Sequence, residues 1–183
     1  IFHVNAEDPE ALVGVVERDR ILGPERVRAG DLLWGLPSSG PHTNGYSLIR
    51  KVVAGQDLKA WVPELGETLK EALLRPHRSY LPEFLRLEAA RVEVHAIAHI
   101  TGGGIPENLP RALPEGLGAE VWKGSWPIPP VFSYLQRLGE IPEEEMYRVF
   151  NMGLGLILVL PEEEAGKLQA LVGGGMCIRD RFL

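Results

Sequence analysis

The sequence predicts an α/β (α+β) domain, a mixed sheet flanked by helices, and three observations carry that expectation. Apolar runs of strand length alternate with segments whose apolar residues recur at helical spacing. One run, Gly153 to Leu160, is continuously apolar, as a buried strand is. The chain has 183 residues, 45% of them hydrophobic, which is enough for one domain with its own core.

Taken in order, Val13 to Glu17 reads as a short strand. Asp31 to Leu36 reads as a second, entered through Ala29-Gly30. The Ser/Gly/Pro/Asn cluster at 38–45 is a turn that hands over to a helix from Tyr46 to Val53, with Leu48, Ile49, Val52 and Val53 on one face. A second helical pattern runs from Leu65 to Leu74. A third runs from Leu81 to Ala90 with Pro82 in its first turn, where proline is tolerated. Val92 to Ile100 and Gly118 to Lys123 read as strands, and Pro130 to Leu138 and Glu143 to Phe150 as helices. Glu143 to Glu145 and Glu162 to Glu164 are acidic first turns that suit the helix dipole rather than paired catalytic carboxylates. The last helix follows Pro161 and turns Ala165, Leu168, Leu171 and Val172 inward.

A net charge of −6 offers no reason to expect nucleic acid or an anionic membrane as partner. No stretch approaches the roughly 20 apolar residues that span a bilayer. The single cysteine, Cys177, fits a reducing compartment, and the expected location is the cytoplasm. The chain opens on Ile1 without signal-peptide features, and a cut or incomplete chain is the expectation. Residues 173–183 break the pattern. Met176 to Arg181 resembles a translated sequencing adapter, so the expectation there is a non-native tail, with a mobile tail as the alternative.

Four glycine-containing segments sit at element ends. A strand-to-helix turn such as Ser38 to Gly45 offers amides and a helix start to an anion, and His42 adds an imidazole; a tight turn with a satisfied histidine fits equally. Gly102-Gly103-Gly104 allows close approach to a phosphate or simply bends, and it is not a P-loop, since no Gly-Lys-Ser/Thr follows. His95 and His99 have the spacing of a metal pair but lack the His-Glu-x-x-His pattern, so no metal site is expected. Trp126 to Pro130 reads as a stiff structural connection. Asn151 to Gly155 runs from helix to strand, the wrong polarity for a dinucleotide fingerprint.

In this order and spacing the segments resemble the phosphoribosylformylglycinamidine cyclo-ligase (aminoimidazole ribonucleotide synthetase) family. The matching text is Val13 to Arg18, Gly35 to Leu48, Ala98 to Ile105 with Asn108, Pro110 and Arg111, Trp126 to Pro130, and Glu144 to Gly153. The resemblance covers about residues 13 to 172, leaving 1–12 as an unmatched remnant. It implies ATP- and Mg2+-dependent ring closure of formylglycinamidine ribonucleotide to aminoimidazole ribonucleotide in purine biosynthesis. ATP would phosphorylate an amide or formyl oxygen, and an internal nitrogen would then displace phosphate. It also implies two α/β domains in a homodimer, with the ATP and metal ligands mainly on an N-terminal half that this sequence lacks. On the same basis His42 is the expected catalytic residue. Ser39, Gly40, Asn44, Gly45, Gly102, Gly103, Gly104 and Asn151 are expected to bind the phosphorylated small-molecule substrate.

Two departures from the family stand out. Its Pro-Thr-x-x-Tyr region appears here as Pro76-His77-Arg78-Ser79-Tyr80, and a strand after the last helix is expected to be lost, leaving an unpaired sheet edge. The alternatives are a non-catalytic binding domain or another member of the same ATP-dependent superfamily, such as selenophosphate synthetase.

Overall fold

The computed structural model describes residues 15–172 and 176–178. The 1–12 segment, the Val13-Gly14 start of the expected first strand, and 173–175 and 179–183 of the expected tail lie outside the described residues. The expected α+β organisation is present. Four strands, β1 (Leu32–Pro37), β4 (Ala96–His99), β5 (Leu154–Leu160) and β6 (Met176–Ile178), form one sheet in the order β4-β5-β1-β6. Every pairing in it is antiparallel, so the sheet is not mixed.

β5 holds the sheet together. All seven of its residues are buried, as a continuous apolar run requires. Ile157 and Val159 point into one cluster with Leu33, Ala96, Ala98, Ile100 and Trp126. Leu156, Leu158 and Leu160 point to the other face, where Leu87 of α3 (Leu81–Ala89) and Leu168 and Val172 of α7 (Ala165–Val172) cover them. A third cluster stands beside the sheet, formed by α1 (Tyr46–Val52), α2 (Leu69–Leu73), α5 (Pro130–Leu138) and α6 (Glu143–Val149) around Phe132, Leu135, Met146 and Phe150.

Topology then places the site. β1 and β4 both run antiparallel to β5, so they run in the same direction, and their C-terminal ends meet where β5 begins. Two amides stitch that end: Ser38 N–H donates to Gly153 O (2.8 Å) and Ile100 N–H to Gly155 O (2.9 Å).

Several expectations are corrected. Residues 15–17 form no strand among the described residues, and Val15 is 98% exposed. Residues 118–123 are not assigned to a strand: Ala119 and Val121 pack on the core, which explains the alternation that imitated one. The helix expected from Leu65 begins at Leu69. Thr68 caps it in a reciprocal box with Glu71, and residues 61–68 instead form a hairpin of β2 (Trp61–Val62) and β3 (Glu67–Thr68). The glycine-rich segment opens an unforeseen short helix, α4 (Gly104–Asn108). The edge expected to be bare is paired, since Met176–Ile178 lie antiparallel to Leu33–Gly35.

If β5 is the shared floor of two clusters, truncating it should be costly. Leu158, fully buried, replaced by Ala should lower unfolding free energy by about 2–5 kcal/mol in a denaturant titration.

Candidate functional site

The β1–α1 turn owes its shape to Asn151, buried at the end of α6. Its Nδ2 donates to Gly40 O (2.9 Å), and its Oδ1 accepts from Ser38 Oγ (2.9 Å) and Gly153 N–H (2.9 Å). These three bonds bind the turn to the start of β5, so Asn151 positions the wall rather than presenting an open polar group. Gly45 precedes α1 at φ +87°, and a Cβ there would lie 2.4 Å from Phe150 Cε1. Its need for glycine comes both from this left-handed backbone and from packing.

His42 is folded under the turn and 7% exposed. Its Nε2 accepts a hydrogen bond from Ser39 N–H (3.2 Å). Burial, and then the neighbouring His77 and His99, push it down to about 4, so the ring is neutral at physiological pH. With Nε2 accepting, the proton sits on Nδ1, which is buried with no partner among the described residues. The floor under His42 is Gly155. A Cβ there would lie 1.7 Å from Tyr80 Oη and 2.8 Å from His42 Cε1. Tyr80 in turn donates to Pro37 O (3.0 Å), and burial holds its hydroxyl up at about 12.

The second turn, after β4, is joined to the first by Asn44, whose Nδ2 donates to Thr101 Oγ1. Asn108 braces it from below, with its Nδ2 within 2.7 Å of Gly104 O and 3.1 Å of Gly102 O. Gly104 is buried with φ +58°, and a Cβ would sit 1.8 Å from Tyr147 O. It lets α4 touch α6. Gly102 is exposed and Gly103 half-buried, and these two offer the accessible backbone. Glu107 folds back over Gly103, where a Cβ would meet its Oε2 at 2.5 Å.

The structure thus brings Ser39, Gly40, His42, Asn44, Gly45, Gly102, Gly103 and Asn151 to one end of the sheet. Ser39 is tied down as well, its Oγ donating to Pro76 O (2.7 Å). Sequence reasoning missed two residues beside them. His77 stacks on His42 with ring centroids 3.7 Å apart, and His99 stands 5.9 Å from His77. The departure from Pro-Thr-x-x-Tyr at position 77 was the available signal for the first. Burial, then His77, holds His99 below the usual imidazole range. Between the two turns lies only a cavity of about 10 Å³, room for roughly one water. The site is a wall and not an enclosed pocket. A larger groove of about 620 Å³, lined by Arg20, Arg26, Phe84 and Arg91, shares no residue with it.

Comparison with known proteins identifies the family and the fold. The family described as AIR synthase related protein, C-terminal domain, matches residues 28–177. A phosphoribosylformylglycinamidine cyclo-ligase of Desulfitobacterium hafniense is 50% identical over 157 residues, covering 86% of this chain and 46% of that protein. The protein of that name from Nitrosococcus oceani is 48% identical over 159 residues, covering 87% and 44%. A chloroplastic/mitochondrial one from Vigna unguiculata is 48% identical over 158 residues, covering 85% and 40%. The chain therefore spans less than half the length of these curated relatives. Among solved structures, a thiamine-monophosphate kinase from Stenotrophomonas maltophilia shares the fold with a TM-score of 0.57 at 21% identity, covering 91% of this chain and 52% of that one. T. maritima PurL complexed with AMPPCP does so with a TM-score of 0.50 at 15% identity, covering 93% and 24%.

A histidine held neutral by the fold makes stability depend on pH in a known direction. The folded-state value of His42 lies near 4, below the ordinary 6.5, so the unfolded chain binds more protons between them. Stability is full above about pH 6.5 and should fall by roughly 2–3 kcal/mol as pH drops toward 4. His42→Gln, which can still accept from Ser39 N–H, should flatten that slope in unfolding titrations at several pH values.

Proposed function

The chain belongs to the AIR synthase related protein C-terminal domain family, and we propose that it forms the substrate-side wall of a phosphoribosylformylglycinamidine cyclo-ligase. The reaction is the ATP-dependent closure of formylglycinamidine ribonucleotide to aminoimidazole ribonucleotide. The observation that carries this reading is the 50% identity over 157 residues to a protein of that name. The half-chain coverage is consistent with an active site completed by residues outside this wall.

The local chemistry supports the reading. His42 is neutral, with its proton on a buried Nδ1 and its Nε2 accepting from Ser39 N–H, so it supports the reading by holding the turn that shapes the wall. It is poorly suited to taking a proton at neutral pH, because burial opposes its charged form. The accessible backbone at Gly102 and Gly103 is suited to a phosphate oxygen, close to the Asn44–Thr101 link. Ser39, Gly40, Gly45, Gly104 and Asn151 act through the shape of the wall.

ATP with Mg2+ supplies the phosphoryl group that turns the oxygen into a leaving group. Among the described residues no three His, Cys, Asp or Glu side chains converge as a metal-ligand set. The homodimer and the cytoplasmic location are part of the same proposal. Among the described residues no helix is long and apolar enough to cross a membrane.

The deciding assay is formation of aminoimidazole ribonucleotide from formylglycinamidine ribonucleotide and ATP by the protein that carries this chain; no product contradicts the reading. In that protein His42→Ala should cut kcat by about a hundredfold or more, and wild-type turnover would remove His42 from the site. Gly103→Val, strained at φ +93° and pressed against Glu107, should raise the substrate KM. An unchanged KM would make the turn purely structural.

A further inference from the structure

We propose that the small cavity between the two turns is a built site for a single water molecule, held by His42 Nδ1–H and linking the β1–α1 turn to the Thr101-Gly102-Gly103 turn. The proposal goes beyond the cyclo-ligase reading and does not depend on it.

The hydrogen bonds of His42 carry the argument. A ring nitrogen that accepts has no proton of its own. The bond from Ser39 N–H to Nε2 therefore leaves the ring proton on Nδ1. His77 covers one face of the ring at 3.7 Å between centroids, and Cε1 stands over Gly155, 2.8 Å from where a Cβ would lie. These contacts take the outer face and the Nε2–Cε1 edge, and Nδ1 is the polar atom left to meet the cavity. His42 lines that cavity of about 10 Å³ together with Asn44 and Thr101, and Ile100 and Phe150 help to close it. Nδ1 reaches no acceptor among the described residues, and a buried donor in a folded protein is rarely left without one.

The other polar walls supply what a water needs. Cavities that stay dry are apolar, whereas a buried water takes about two to four polar partners in a space of roughly 10–15 Å³. Thr101 Oγ1 accepts from Asn44 Nδ2 and keeps its own proton to give, and Asn44 Oδ1 remains to accept. Asn151 is not required, because its amide is already committed to Gly40, Ser38 and Gly153. One oxygen in this space accepts from His42 Nδ1–H and from the Thr101 hydroxyl, and donates to Asn44 Oδ1. An apolar occupant would strand the Nδ1 proton. The water is thus a second tie between the two turns, beside the Asn44–Thr101 bond.

The test uses the chain itself and two substitutions that separate the ring nitrogens. His42→Asn places an amide N–H near the position of Nδ1, whereas His42→Gln carries its amide to the position of Nε2. In a wild-type crystal structure at atomic resolution, one ordered oxygen should lie within hydrogen-bonding distance of His42 Nδ1 and Thr101 Oγ1. In solution, the His42 Hδ1 proton should show an NMR cross-relaxation peak to water. The water should persist in His42→Asn and be lost in His42→Gln. A dry cavity, a direct bond from Nδ1 to a protein acceptor, or a water retained in His42→Gln overturns the proposal, and the wild-type measurements decide it if a variant does not fold. The linking role has its own readout. Gly104 N–H, bonded to Thr101 O at 2.9 Å, should lose about two- to tenfold of its hydrogen-exchange protection in His42→Gln. His95 N–H, bonded to Val159 O at the other end of β4, is the control and should keep its protection. Equal protection of Gly104 in wild type and variant would overturn the link. No arm reads turnover, so failure of the cyclo-ligase reading leaves these outcomes as they stand.

Discussion

The pairing of β5 on both edges is the constraint on which the rest depends. A strand buried on both faces must satisfy every backbone group through its neighbours, because water does not reach it. β1 and β4 do this from either side, and being antiparallel to β5 they must end together. The two turns that follow them are brought side by side by hydrogen-bond geometry before any side chain is considered. The candidate site is built on that coincidence of strand ends.

Side chains then stiffen what topology brings together. Asn151 ties one turn to the floor, Asn108 braces the other, and Asn44 links the two through Thr101. Short amides suit this work because each can donate and accept within one plane. The imidazoles divide the remaining duties by depth. The buried ring of His42 is held neutral by its surroundings, and the exposed ring of His77 stacks on its outer side.

Much of this was legible in the amino-acid sequence, and the failures have physical causes. The helices α1, α3, α5 and α6 and the strands β1 and β5 announced themselves by apolar spacing. Residues 118–123 misled because one-sided burial of a segment outside any strand produces the same alternation as a paired strand. Pairing is a property of neighbours that periodicity does not contain. Thr68 and Glu71 did contain the helix start as a capping box, and a longer apolar pattern masked it. At the site, the close packing of Gly45 against Phe150 and of Gly104 against Tyr147 was not legible, because those residues lie about 105 and 43 positions away in the chain. Position 77 stood out as a departure from the family, but its stacking on His42 is a long-range contact with no local spacing.

Gly155 has a consequence for how such a chain can change over time. The Tyr80 hydroxyl and the His42 ring occupy the volume that any side chain at 155 would need. The three positions therefore share one fixed space, and a lineage that enlarges residue 155 must first shrink residue 80 or displace residue 42. Because the ring at 42 is also held by the turn above it, the freedom falls on 80. Among diverging relatives, size at 80 and 155 should trade off as a pair, while position 77, stacked on the outer side, drifts without that restraint.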